Sequence, residues 1–107
     1  MSLHHEIRRR DDVAEVTLSG RIDRDAAPAL DAAYAAASVG SPGSIQLDFT
    51  GVDYINSTGI ALIVSILARA RSERIGVRAS GLTDHYRHIF EITRLSDFIE
   101  IVEPASH

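Results

Sequence analysis

Cysteine is absent from this chain, and so is lysine. Without cysteine there are no disulfides, no thiolate metal sites and no cysteine nucleophile, and the redox compartment is left unread. All eleven basic residues are arginine, which excludes a Walker-type phosphate loop, whose lysine reaches the phosphates, and a lysine Schiff base. Long apolar runs are missing as well. The longest, Ile60 to Ala68, is interrupted by Ser65 and falls far short of the roughly 20 residues a membrane span needs. The N-terminus, MSLHHEIRRR, lacks the apolar core of a signal peptide, so a cytoplasmic protein is expected. A surplus of positive charge is lacking too. The net charge of −4 speaks against a nucleic-acid partner. The one basic cluster, Arg8-Arg9-Arg10, is followed at once by Asp11-Asp12 and reads as the solvated end of a hairpin.

What is present is the material of one globular domain spanning residues 1–107. Hydrophobic content of 45% and charged content of 24% fit a chain that builds a core without staples. Met1-Ser2-Leu3 could be a cloning scar, and residues 103–107 read as a tail.

Val13 to Leu18 (VAEVTL) alternates apolar and polar residues, the period of a half-buried strand. Leu3 to Arg9 is expected to pair with it across Asp11-Asp12, and Ser19-Gly20 to break it. Asp25 to Ala37 (DAAPALDAAYAAA) turns to alanine, the best helix former, with Asp25 as the expected N-cap and Pro28 tolerated in the first turn. VGSPGS is loop chemistry. Ser44 to Phe49 (SIQLDF) returns to period two. A helix is expected from about Ser57 to Ser72, a strand over Ile75 to Ala79, a helix over Asp84 to Thr93 with Asp84 as cap, and a strand over Phe98 to Val102. The pattern is α/β: a mixed, mostly parallel sheet of about five strands with helices packed against it.

The helix beginning at Ser57 carries the most information. At about 100° per residue, Ile60, Leu62, Ile63, Ile66, Leu67 and Ala70 gather on one broad side, which must face the sheet. The opposite side carries Ser57, Ala61, Val64, Ser65, Ala68 and Ser72, almost all small. An ordinary solvent face would carry long polar helix formers. Either a loop or the first helix covers this stripe, or another molecule docks on it. Ser57 stands at its N-terminal end, where unpaired N–H groups and the positive end of the helix dipole lie. Asn or Ser there is most often a cap, worth about 1 kcal/mol, and the same N–H groups hold a phosphate well. Ser57 is expected to be a cap hydroxyl that can also be a switch.

Three segments carry a family resemblance. "LSGRIDRDAAPALDAA" (Leu18 to Ala33) resembles the Gly-x-(Ile/Leu)-Asp segment that enters the first helix of STAS domains of the bacterial anti-sigma factor antagonist type. "IQLDFTGVDYINSTGIALI" (Ile45 to Ile63) resembles their strand, Gly-Val turn and Asp-Ser-(Ser/Thr)-Gly-Leu loop. "GLTDHYRHIFEITRLSDFIEI" (Gly81 to Ile101) resembles their last helix and closing strand. The resemblance covers nearly the whole chain. It implies an antagonist that is not an enzyme and needs no cofactor. Such a protein binds an anti-sigma serine kinase when unphosphorylated, is released by phosphorylation and is reset by a phosphatase. By position, the implied phosphoacceptor is Ser57, with Thr58 the adjacent hydroxyl. Asp23 matches the acidic residue that lies near the acceptor loop. Asn56, Gly59, Ala61, Val64, Ser65 and Ala68 complete the implied loop and partner face. Asn56 stands where the family usually has Asp, which removes a charge beside the acceptor.

Other chemistries fit less well. A phosphorylation receiver needs an acidic pair after the first strand and a lysine. A serine hydrolase needs Gly-x-Ser-x-Gly, and Ser57 has Ile55 and Gly59 at those offsets. His85, His88 and Glu91 lie along one helix face, more in keeping with a solvated polar surface than a metal site. The competing function is a STAS scaffold, in a stress-signalling assembly or a lipid-transport complex, that docks through the same helix with no phosphate involved.

Overall fold

Period-two alternation gives each strand one face to bury, and the strands align so that these faces coincide. The computed structural model describes residues 3–102. The strands are β1 (His4–Arg10), β2 (Val13–Ile22), β3 (Ser44–Ile55), β4 (Gly76–Ser80) and β5 (Glu100–Ile101). They form one sheet in the order β1-β2-β3-β4-β5. β1 and β2 are antiparallel and every other pair is parallel. Register sets Val16 beside Leu47 and Leu47 beside Ala79, with Ala14, Ile45 and Val77 in line one pleat away. All six are buried.

Three helices cover that face: α1 (Ala27–Ala37), α2 (Ser57–Ser72) and α3 (Asp84–Ile92). α1 contributes Leu30, Ala33, Tyr34 and Ala37 to the core, α2 contributes Ile63, Ile66, Leu67 and Ala70, and α3 contributes Phe90. Ile60 and Leu62, expected on the buried side of α2, are only partly buried at its margins. The Phe90 ring meets Phe49 edge-on, with centroids 6.0 Å apart. The other sheet face carries Glu15, Thr17, Gln46, Asp48 and Arg78, which are half-buried or exposed. An α/β sheet covered on one side only is the result.

Several local expectations change. Ser19-Gly20 does not end β2. The strand continues to Ile22 with register shifts between Thr17 and Ser19 and between Gly20 and Arg21. Gly20 takes φ 109°, a conformation glycine adopts without strain, and the extra residue at each shift lies on β3, between Asp48 and Gly51 and between Val52 and Tyr54, so β2 runs on and does not stop. β3 likewise runs past Phe49 to Ile55. Asp25 is not a cap: Asp23 is, its carboxylate accepting the Asp25 N–H at 3.0 Å above a short 3₁₀ turn, Arg24–Ala26. At α3 the cap is Thr83, whose hydroxyl accepts the Tyr86 N–H at 3.2 Å, and Asp84 is the first helical residue. β4 begins and ends one residue later than expected, and β5 keeps only two residues. A 3₁₀ turn, Leu95–Asp97, occupies the approach to β5.

The arginine run is exposed, as expected, and one of its members also serves the fold. Arg9 donates to the carbonyls of Ala36 and Ala37 at 2.7 and 3.3 Å, satisfying the C-terminal end of α1 where the helix dipole is negative. Tyr34 donates its hydroxyl hydrogen to the Glu73 carboxylate. Arg69 lies 4.6 Å from the Tyr34 ring centroid and pairs with Asp31 at 2.8 Å, so α1 is tied to the far end of α2. Leu3 is buried in the core. Met1, Ser2 and the tail, residues 103–107, lie outside the described residues.

Candidate functional site

The loop between β3 and α2 is set by one side chain and one missing side chain. Asn56 is extended (φ −102°, ψ −175°), and its Oδ1 accepts the Gly59 N–H at 2.9 Å. Its carbonyl accepts the Ile60 N–H at 2.9 Å. That is the geometry of an N-cap. Ser57 and Thr58 therefore occupy the first two helical positions, and both are exposed. The expectation that the Ser57 hydroxyl doubles as the cap is not met, because Asn56 holds that place.

Gly59 is buried, and a Cβ built on it would stand 1.9 Å from the Ile22 carbonyl oxygen. Only glycine lets the first turn of α2 rest on the end of β2. Asn56 reinforces the contact by donating its N–H to the same carbonyl at 3.3 Å. Asp23 follows Ile22 directly, so the structure brings Asp23, Asn56, Ser57, Thr58 and Gly59 together at the C-terminal end of the sheet.

Three further residues shape this end. Arg21 lies 4.2 Å from the ring centroid of Tyr54, its partner across the β2–β3 register, and its Nε is 3.5 Å from Asp23 Oδ2. Tyr86, on α3, accepts the Ile55 N–H on its hydroxyl oxygen at 2.9 Å. Arg21 and Tyr54 pair only because the strands continue beyond Gly20 and Phe49. A tyrosine two residues before Asn56 was the one signal available in the sequence.

Along α2, Ala61, Val64, Ser65 and Ala68 are all exposed, Val64 by 46%. Neither α1 nor any loop among the described residues covers the stripe. His85 packs against the Tyr86 ring with centroids 4.9 Å apart. Among the described residues no group of three or more His, Asp or Glu side chains is placed to hold a metal ion, and no helix is long and apolar enough to cross a membrane.

Chemically, the site presents a free hydroxyl at a helix N-terminus. No histidine hydrogen-bonds to Ser57 among the described residues, so the arrangement lacks the paired base that activates a serine nucleophile. A phosphate delivered to Ser57 from outside would sit where exposed N–H groups and the helix dipole favour negative charge.

Comparison with known proteins agrees with this architecture. The family model described as Mlab, STAS domain, matches residues 5–103. The anti-sigma-B factor antagonist of Listeria monocytogenes is 34% identical over 102 residues, covering 94% of this chain and 90% of that protein. The crystal structure of an anti-sigma factor antagonist from Mycobacterium paratuberculosis superposes with a TM-score of 0.72 at 26% identity, covering 92% of this chain and 84% of that one. The unphosphorylated anti-sigma factor antagonist SpoIIAA shares the fold at 13% identity, with a TM-score of 0.69 over 97% of this chain and 90% of its own. From its strand order, the geometry of the loop between β3 and α2 and these likenesses, the chain belongs to the STAS domain family of anti-sigma factor antagonists.

Proposed function

We propose that this protein is a partner-switching anti-sigma factor antagonist whose switch is phosphorylation of Ser57. Unphosphorylated, it binds an anti-sigma serine kinase in the cytoplasm through Asp23, the Asn56–Gly59 loop and the exposed stripe of Ala61, Val64, Ser65 and Ala68. Phosphate on Ser57 ends the binding, and a cognate phosphatase restores it. The protein is a regulator, like the antagonists it resembles, and not an enzyme.

One observation carries the proposal: Asn56 performs the capping, so the exposed Ser57 hydroxyl has no structural duty. A phosphate there adds a charge of roughly −1.5 to −2 at the edge of a face built from small side chains. Helix-terminal N–H groups tolerate that charge within the fold. A partner packed on the face would meet both its bulk and its desolvation cost. The switch thus acts on the complex and leaves the domain folded.

The test is incubation of the wild type, Ser57→Ala and Thr58→Ala with source-cell lysate and labelled ATP, followed by intact mass. Label on the wild type and Thr58→Ala but not on Ser57→Ala is expected. Absence of label on all three, in a lysate that labels its other antagonists, would refute the switch and favour a scaffold that docks through α2 without phosphate.

A further inference from the structure

The exposed stripe of α2 is too small to be a complete docking surface. Its 16 residues give a length of about 24 Å at 1.5 Å per residue, and a strip one side chain wide, about 10 Å, covers roughly 240 Å². A stable interface takes about 800 Å² from each partner. Asp23 and the short Asn56–Gly59 loop extend it at one end only, so the remaining area must come from surface along its flank.

Such surface lies on one flank. Val64 and Ala68 are also one wall of an open groove of about 360 Å³, which includes Leu67, Ile75, Leu95 and Phe98. Leu67, Ile75 and Leu95 are buried, whereas Phe98 is 57% exposed. The fold does not require that ring for its core. Leu95 and Ile99 on either side of it supply the buried contacts, and Phe98 is held by its backbone, donating its N–H to the Leu95 carbonyl at 2.9 Å. The Arg71 guanidinium carbon is 5.7 Å from the Phe98 ring centroid. Arg71 is exposed, and no ion pair occupies it among the described residues. Asp97 also lines the groove, where Arg94 neutralises it at 3.0 Å, and an exposed aromatic beside an arginine without an ion pair, over a largely apolar floor, is the composition of a protein interface.

We infer that this groove is the second half of the docking surface for the anti-sigma kinase. It receives an apolar side chain flanked by a carboxylate, the apolar group against Phe98 and Val64 and the carboxylate on Arg71. The inference rests on the function proposed above. It separates two tasks along α2: the groove supplies affinity, while Ser57, about 16 Å along the helix from Ala68, supplies the switch. Phosphorylation then weakens the complex without altering the groove.

The experiment measures the binding of each purified anti-sigma serine kinase encoded in the source genome. The proteins compared are the wild type, Ser57→Glu, Phe98→Ala, Arg71→Glu and, as a control away from this face, Val39→Ala, with melting temperatures recorded for all. A wild-type complex weakened tenfold or more by Phe98→Ala and by Arg71→Glu, and unchanged by Val39→Ala, is expected, with all variants folded. A complex lost in Ser57→Glu but kept within twofold by both groove variants would overturn this inference alone. No complex with any kinase would overturn the proposed function and the inference together. Sedimentation showing a dimer of this chain that Phe98→Ala dissolves would give the groove to a second copy instead.

Discussion

The Oδ1 of Asn56 accepts the backbone N–H of Gly59 at 2.9 Å, and this bond gives the capping role at the head of α2 to Asn56 and leaves the Ser57 hydroxyl out of it. Asn56→Ala should cost about 1 kcal/mol by removing the cap. Asn56→Asp should keep the cap and gain a few tenths of a kcal/mol from the helix dipole. Ser57→Ala should stay within about 0.5 kcal/mol of the wild type, as surface changes usually do. Urea unfolding of the three variants checks the ranking, and an equal loss in Ser57→Ala and Asn56→Ala would contradict it.

Gly59→Ala makes a sharper test of the loop. Alanine is the better helix former by about 1 kcal/mol, so propensity alone forecasts stabilisation. A Cβ 1.9 Å from the Ile22 carbonyl oxygen forecasts the opposite, because backbone must move to admit it. A net destabilisation of about 2 kcal/mol or more is expected, read as a lowered urea midpoint.

Tyr34 makes stability depend on alkaline pH. Burial, and then the hydrogen bond to Glu73, push its pKa up from 10.0 to about 12. The folded state therefore keeps a proton that the unfolded state loses between these values, and stability falls with rising pH there. The contribution is fully present below pH 10.0 and is lost as the pH rises through about 12. Tyr34→Phe should cost about 1 kcal/mol at pH 7, and its deficit relative to the wild type should shrink above pH 10. Paired unfolding curves from pH 8 to 12 measure this.

Steric block on the small-residue face should separate folding from binding. Ala61→Arg and Ser65→Arg alter exposed positions, so their stability should stay within about 0.5 kcal/mol of the wild type. Capture of the kinase should nevertheless be lost, because a long charged side chain replaces the close approach the face permits. Melting temperature and pull-down of the purified kinase provide the two readouts.

The parts of the fold legible in the sequence are those where one physical signal acts alone. The limits of α2, Ser57–Ser72, follow from an uninterrupted helical period, and β2 and β3 announce themselves by alternation. The capping side chains ahead of α1 and α3 stand one or two residues earlier than the sequence suggests: Asp23 caps the 3₁₀ turn that leads into α1, and Thr83 caps α3. Asp23 and Asp25, like Thr83 and Asp84, are all capable caps, and only the point at which the chain leaves the extended conformation selects between them. The outer halves of β2 and β3 are hidden because Gly20 and Gly51 carry the same local chemistry as a strand end, and the register shifts on β3 interrupt its alternation. With those halves went the Arg21–Tyr54 pair, which exists only through a shifted register. The exposed face of α2 was visible as composition, whereas its continuation to Phe98 required the third dimension: Val64 and Phe98 are 34 positions apart in the chain and meet across one groove.

The central claim is that a phosphate on Ser57 controls partner binding. The most direct measurement is the dissociation constant of the purified kinase, with its nucleotide, for this protein in two forms: unphosphorylated, and stoichiometrically phosphorylated at Ser57 as verified by intact mass. A loss of roughly 100-fold or more on phosphorylation is predicted, the effect of setting a desolvated, uncompensated charge in an interface. Equal affinity of the two forms, in a complex that Ala61→Arg disrupts, would contradict the account and leave α2 as a docking face without a switch.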